Sequence, residues 1–164
     1  MQLLFLRHGV AEPWETWGDD DGERPLSVPG RKAMERAAAT FVELGLAPDV
    51  IITSPLTRAR QTAEIAARGL GMSDRVVLDP RLEPGFDAEA LSDILGEHRG
   101  SEVLMLVGHE PDLSLTVGSL IGGGRVVCKK GGLVRVDVDL ASAGDGELIW
   151  LLPPKDLTRR GKNA

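Results

Sequence analysis

Two arginines and two histidines stand where this chain could do chemistry: Arg7, His8, Arg58 and His109. Arg7-His8-Gly9 follows Leu3-Leu4-Phe5-Leu6, an apolar run short enough to read as a buried strand. The carboxyl end of such a strand is where open α/β sheets bind ligands, and Gly9 lets the backbone turn there without a Cβ in the way. Two guanidiniums offer planar forks that suit the oxygens of a phosphoryl group. A neutral imidazole can attack phosphorus and hold the group covalently. Phosphoryl transfer needs mostly positioning and charge stabilisation, which this set supplies without a metal. No metal-ligand cluster and no cofactor motif is read in the chain.

The elements around these residues must bring them together. Asp49–Thr53 is a second buried strand, and Ser54-Pro55 reads as an N-cap followed by the first helical residue. Arg58 then lies one turn into that helix, with its side chain leaning back towards the same strand-end rim. Glu102–Val107 is a further strand, entering Gly108-His109-Glu110-Pro111 and a Pro-started helix that runs to about Ile121. Helix starts after Ser54 and Glu110 would add N–H donors and a dipole that favours an anion. Elsewhere, Pro29 or Gly30 opens a helix with Met34, Ala37, Ala38 and Phe41 on one face, stopped at Gly45. Val76–Leu78 is a short strand, and Ala88–His98 a helix with Leu91, Ile94 and Leu95 apolar. Val126–Cys128 and Leu133–Val138 read as strands around Lys129-Lys130-Gly131-Gly132, and Leu148–Leu152 as the last strand.

Composition narrows the partners. A length of 164 residues with 42% hydrophobic content suits one domain with a full core. A formal charge of −6 speaks against nucleic acid. No segment approaches a membrane span, the opening apolar run is too short for a signal peptide, and the single cysteine, Cys128, fits a reducing compartment, so a cytoplasmic protein is expected. Cys128 reads as core filling and His98 as a surface residue at a helix end. Val10 to Ser27 is a long polar connection with Trp14, Trp17 and Asp19-Asp20-Asp21, and it lacks the alternation of a calcium loop. Connections of this length are often lids, which makes Arg24 a candidate substrate-binding residue. Trp14 and Trp17 either line an entrance or anchor the loop; Lys129 and Lys130 form a solvated turn or guide an acidic partner. The domain is read as residues 1–157, with a basic disordered tail from Thr158.

At this point the blocks form a pattern. Arg7-His8-Gly9 resembles the signature of the histidine phosphatase (phosphoglycerate mutase-like) superfamily. Ser54-Pro55-Leu56-Thr57-Arg58-Ala59-Arg60-Gln61-Thr62-Ala63 is similar to its second block, and Val107-Gly108-His109-Glu110-Pro111 to its third. Asp21 with Arg24-Pro25-Leu26, the Lys129-Lys130-Gly131 turn and the Leu152-Pro153-Pro154 ending resemble the short SixA-type phosphohistidine phosphatases. The resemblance implies a nucleophilic His8 that becomes a phosphohistidine, with Arg7, Arg58 and His109 completing a phosphate pocket. It implies a three-layer α/β/α sandwich with a mostly parallel six-stranded sheet and one antiparallel strand, supplied by the late hairpin. Many members carry a glutamate two residues after a leucine, whereas Glu83 directly follows Leu82. The general acid is therefore Glu83 or Asp87.

The expected activity is a metal-independent phosphatase acting on phosphohistidine carried by a partner protein, because little beyond Val10–Ser27 could cover the site. The alternatives are a phosphatase or mutase of small phosphoesters, the mutase needing a site closed to water, and a silent phosphate-binding module. A binder has no need of a nucleophile flanked by arginines.

Overall fold

The run Leu3–Leu6 is apolar throughout because both of its faces are covered. In the computed structural model, which describes residues 1–18, 20–139 and 146–159, it forms the middle of β1 (Gln2–Arg7). Leu4 and Leu6 enter a core with Met34, Phe41, Ile51, Ala63 and Met105, while Leu3 and Phe5 enter another with Ile52, Leu91, Ile94, Leu104 and Val117. Successive strand residues point to opposite faces, so an unbroken apolar run is the mark of a strand between two helical layers.

The remaining strands are β2 (Val50–Thr53), β3 (Val76–Leu78), β4 (Val103–Gly108), β5 (Leu133–Val138) and β6 (Gly146–Leu152). They form a six-stranded sheet in the order β3-β2-β4-β1-β5-β6. The pairs among β1 to β4 are parallel, and β5 runs antiparallel to both of its neighbours, β1 and β6. This is the expected α/β/α sandwich with a single antiparallel strand. One face carries α2 (Val28–Glu43) and α3 (Thr57–Gly69), and the other α4 (Ala88–Glu97) and α5 (Asp112–Leu120). Short helices, α1 (Trp14–Trp17) and α6 (Pro154–Leu157), lie in the connection after β1 and after β6. Among the described residues, no helix is long and apolar enough to cross a membrane.

The helix of the first layer follows its sequence signals closely. Ser27 caps α2 by accepting from the Gly30 N–H at 3.1 Å, and Met34, Ala37, Ala38 and Phe41 are buried. After the helix, Gly45 takes a φ of 67°, and the Leu46 N–H reaches back to the Phe41 carbonyl. Gly30 has a second duty. A Cβ there would collide with the Val10 carbonyl oxygen, a backbone atom of the segment that follows β1. Gly30→Ala is therefore expected to cost on the order of 2 kcal/mol, as overpacking does, read as a lower denaturant midpoint at unchanged slope.

Three local expectations change in the folded chain. Val126–Cys128 is not a strand: β5 already fills the position beside β1, and the Cys128 backbone groups pair with the Arg7 and Ser114 side chains. Ser54 is not an N-cap. It continues along the sheet, with its N–H on the Val107 carbonyl, and α3 starts only at Thr57. Pro111 stands at the N-cap of α5 and not in its first turn. At the chain end, the Thr158 N–H and Oγ1 both donate to the Pro154 carbonyl, while the tail beyond residue 159 lies outside the described residues.

Candidate active site

The register of β1 on β4 pairs Arg7 with Gly108, so the residues that follow, His8 and His109, leave the sheet side by side. Their ring centroids are 5.2 Å apart at a tilt of 51°. The His8 N–H donates to the Gly108 carbonyl, and His8 Nδ1 lies 2.7 Å from the Gly9 carbonyl oxygen. A carbonyl can only accept, so neutral His8 carries its proton on Nδ1 and leaves a lone pair on Nε2. Burial pushes the His8 pKa down to about 3, against the Gly9 bond and helped by His109, Arg58 and Arg7. Burial, then the positive charge of Arg58, lowers His109 to about 4. Both rings are neutral at pH 7.

Each arginine is held by acceptors that leave part of it open. Arg7 donates through NH1 to the Cys128 carbonyl at 2.9 Å. Arg58, 4% exposed, donates through NH1 to the Asp21 carbonyl at 2.7 Å and through NH2 to Asp21 Oδ2 at 2.9 Å. The other Asp21 carboxylate oxygen accepts from Arg24 Nε at 2.8 Å, and Arg24 NH1 reaches the Glu12 carbonyl. Burial alone would raise the Asp21 pKa, but Arg24 and Arg58 together bring it below the usual carboxylate value. Arg7 Nε, Arg58 Nε and His109 Nδ1 are buried with no partner among the described residues. Leaving a buried polar group unpaired costs roughly 1–3 kcal/mol, and these three donors belong to residues near enough to act on one another's charge, a setting that favours an oxyanion with several acceptor oxygens.

The structure thus brings Arg7, His8, Arg58 and His109 together, with Arg24 one step out behind Asp21. The Val10–Ser27 segment is no free loop. It carries α1, an Ala11–Leu26 bridge and the Asp21 clamp, and Trp14 and Trp17 remain 49% and 40% exposed on it. Its Gly22 carbonyl also takes the Thr57 N–H, so that donor at the start of α3 is not free for an anion. Glu83 makes no hydrogen bond or ion pair with the four central residues among the described ones. It lines a cleft of about 410 Å³ with Arg81, Asp87 and Asp93. Its loop is nonetheless tied to the helix after His109, since the Gly85 N–H donates to Asp112 Oδ2 at 2.8 Å. Asp87 is committed as the N-cap of α4, accepting from the Glu89 and Ala90 N–H groups.

Several supporting residues escape a reading of the sequence. Thr62 Oγ1 accepts from the Gly9 N–H at 3.0 Å and donates to the Arg58 carbonyl at 2.7 Å, tying the β1 turn to α3. The Gly131 N–H meets the Arg7 and His8 carbonyls, so the Lys129-Lys130 turn packs onto the end of β1. Ser54 Oγ lies 2.9 Å from His109 Nε2. The spacing of Arg58 and Thr62 on one helix face hints at the first contact; nothing local signals the other two.

The lowered histidine pKa values predict acid sensitivity. Between about 4 and the ordinary 6.5, an unfolded chain protonates both rings while the folded one does not. The unfolded state binds more protons there, so stability rises with pH through that window and falls as pH drops from about 6.5 towards 4. Melting temperatures across this range should decline before carboxylates protonate, and His8→Asn should reduce the slope. A flat profile would contradict neutral, buried rings.

An open α/β sheet whose carboxyl edge gathers neutral imidazoles and buried guanidiniums belongs among proteins that handle oxyanions. More narrowly, the chain belongs to the histidine phosphatase superfamily (branch 1), whose sequence profile matches residues 3–84. It is 37% identical over 164 residues to an uncharacterized protein of Picosynechococcus sp. (strain ATCC 27264 / PCC 7002 / PR-6), covering 94% of this chain and 98% of that one. It is 33% identical over 117 residues to the probable phosphoglycerate mutase GpmB of Cronobacter sakazakii (strain ATCC BAA-894), covering 68% of this chain and 52% of that one. The fold matches that of the protein histidine phosphatase SixA complexed with tungstate, with a TM-score of 0.85 at 24% identity, over 96% of this chain and 99% of that one.

Proposed function

We propose that this protein is a phosphatase that forms a phosphohistidine on His8 and removes phosphate from phosphohistidine carried by another protein. The observation that carries the chemistry is the bare Nε2 of a neutral His8 whose ring lies 5.2 Å from that of His109, with the Arg58 and Arg7 guanidiniums near enough to act on its charge. Nε2 attacks phosphorus as the bond to the leaving group breaks. Arg7, Arg58 and His109 hold the phosphoryl oxygens, and Arg24 stands behind them as an outer substrate contact. Water then attacks the phosphohistidine, releasing phosphate and restoring the neutral ring. Glu83 supplies the proton to the leaving group from the loop tied to α5.

The protein substrate is supported by the short connections from β2 to α3 and from β4 to α5, which leave Val10–Ser27 as the long connection beside the site, and by the shared fold with a protein histidine phosphatase. The similarity to a phosphoglycerate mutase favours a second reading, a phosphatase or mutase of small phosphoesters. The two part at the leaving group. An ester leaves as an alkoxide unless an acid protonates it, while a phosphohistidine leaves through a ring nitrogen that takes a proton from solvent more readily. Glu83→Gln should therefore lower kcat/KM on an alkyl phosphate on the order of 10²-fold, and much less on a phosphohistidine-bearing phosphotransfer protein. Wild-type kcat/KM should be higher on the phosphotransfer protein than on phosphoglycerates. Turnover of phosphoglycerates alone, or equal losses in the variant, would overturn the protein-substrate reading.

A further inference from the structure

We infer that Ser54 is a positioning residue that holds His109 as its Nδ1–H tautomer, so that His109 meets a phosphoryl oxygen as a neutral hydrogen-bond donor. The inference rests on the reading that the phosphoryl group is handled at His8. Ser54 is fully buried, and its Oγ has two neighbours: the Leu56 N–H at 3.2 Å and His109 Nε2 at 2.9 Å. A hydroxyl has one proton to give and lone pairs to accept with. The Leu56 N–H can only donate, so it occupies one lone pair. Were Nε2 protonated, Ser54 would accept twice, and its own proton would be buried without an acceptor. With Nε2 bare, the hydroxyl donates to it, and the His109 Nδ1–H is the one group of this relay left without a partner among the described residues, where the other tautomer leaves both the Ser54 proton and the Nδ1 lone pair unpaired.

The neutral ring then carries its proton on Nδ1, the nitrogen that is buried with no partner among the described residues. That N–H is the uncommitted end of the relay. Arg7 and Arg58 add positive charge around it, which disfavours imidazolium and favours an anion in contact. The two histidines thus share a tautomer and present opposite faces of it. A carbonyl, that of Gly9, takes the His8 proton and leaves its Nε2 lone pair uncommitted; a hydroxyl, that of Ser54, meets the His109 lone pair and leaves its Nδ1 proton uncommitted. One ring is set as nucleophile and the other as donor. His109 in this state is a hydrogen-bond donor and not the acid for the leaving group.

Long-range ¹⁵N–¹H correlation spectra of the full-length labelled protein at pH 7.5 test this directly. Wild-type His109 should appear as the Nδ1–H tautomer. In Ser54→Ala it should shift towards Nε2–H, with His8 unchanged as an internal control for the fold. The same variant should bind orthovanadate on the order of tenfold more weakly, the loss expected for one donor to a charged acceptor. Wild-type His109 found as Nε2–H would overturn the inference, as would Ser54→Ala keeping the Nδ1–H tautomer with unchanged vanadate affinity. Absence of phosphatase turnover in a wild type that shows the tautomer and binds vanadate would remove the proposed activity and leave the Ser54 role standing.

Discussion

His8→Ala is expected to fold and to lose turnover on the order of 10⁴-fold or more, the scale on which an enzyme falls without its nucleophile. Among the described residues the side chain makes one hydrogen bond, to the Gly9 carbonyl, and its removal leaves the β1–β4 pairing and the Thr62 contact to Gly9 in place. In the wild type, mixing with substrate and quenching into alkaline denaturant should trap a phosphohistidine, since the P–N bond survives base better than acid. Tandem mass spectrometry should then locate the phosphate on His8. Phosphate found on His109, or full activity in the variant, would overturn the mechanism. The burial that lowers the His8 pKa to about 3 gives this reaction a further property. The nucleophile stays unprotonated well below neutrality, so His8 itself should impose no acid limb on kcat/KM near pH 6.5.

Arg58→Ala should lower kcat/KM by about 10²-fold, or roughly 3 kcal/mol of transition-state stabilisation, as loss of one preorganised oxyanion donor does. Arg58→Lys should not restore it. Asp21 engages NH1 and NH2 through its carbonyl and its carboxylate, which aims the guanidinium and leaves Nε unpartnered. A single ammonium cannot reproduce that fork. Steady-state kinetics on one phosphorylated substrate, with circular dichroism to confirm folding, makes the comparison. A loss of less than threefold in Arg58→Ala would mean that Arg58 serves Asp21 and the loop, and not the reacting group.

Much of the architecture is legible because each layer leaves a local mark. An unbroken apolar run such as Leu3–Leu6 reports a strand covered on both faces, and the spacing of Met34, Ala37, Ala38 and Phe41 reports one buried helix face. Ser27 and Gly45 act within one turn of α2, so helix ends of this kind can be read from neighbouring residues alone. The misreadings share a cause. Ser54 carries the local signature of a cap, yet its hydroxyl goes to His109, across the gap between adjacent strands. Val126–Cys128 has the composition of a strand, yet the place beside β1 belongs to β5 and its backbone serves side chains instead.

By itself, the sequence determined which residue types stand at strand ends and helix starts, and therefore the class of chemistry open to the protein. A guanidinium, an imidazole and a glycine after a buried strand are groups that suit an anion, placed where open α/β sheets bind ligands. Only the tertiary structure decided how those groups face one another. Strand order sets β1 beside β4, and from that pairing alone His8 comes to lie against His109, residues separated by most of the chain. The same folding brings Asp21 onto Arg58, Gly131 onto the end of β1 and Ser54 onto His109. The physical reason is one of range. Propensity and apolar periodicity act over a few residues, whereas tautomer, pKa and the aim of a guanidinium are set by the burial and hydrogen-bond partners that long-range packing supplies.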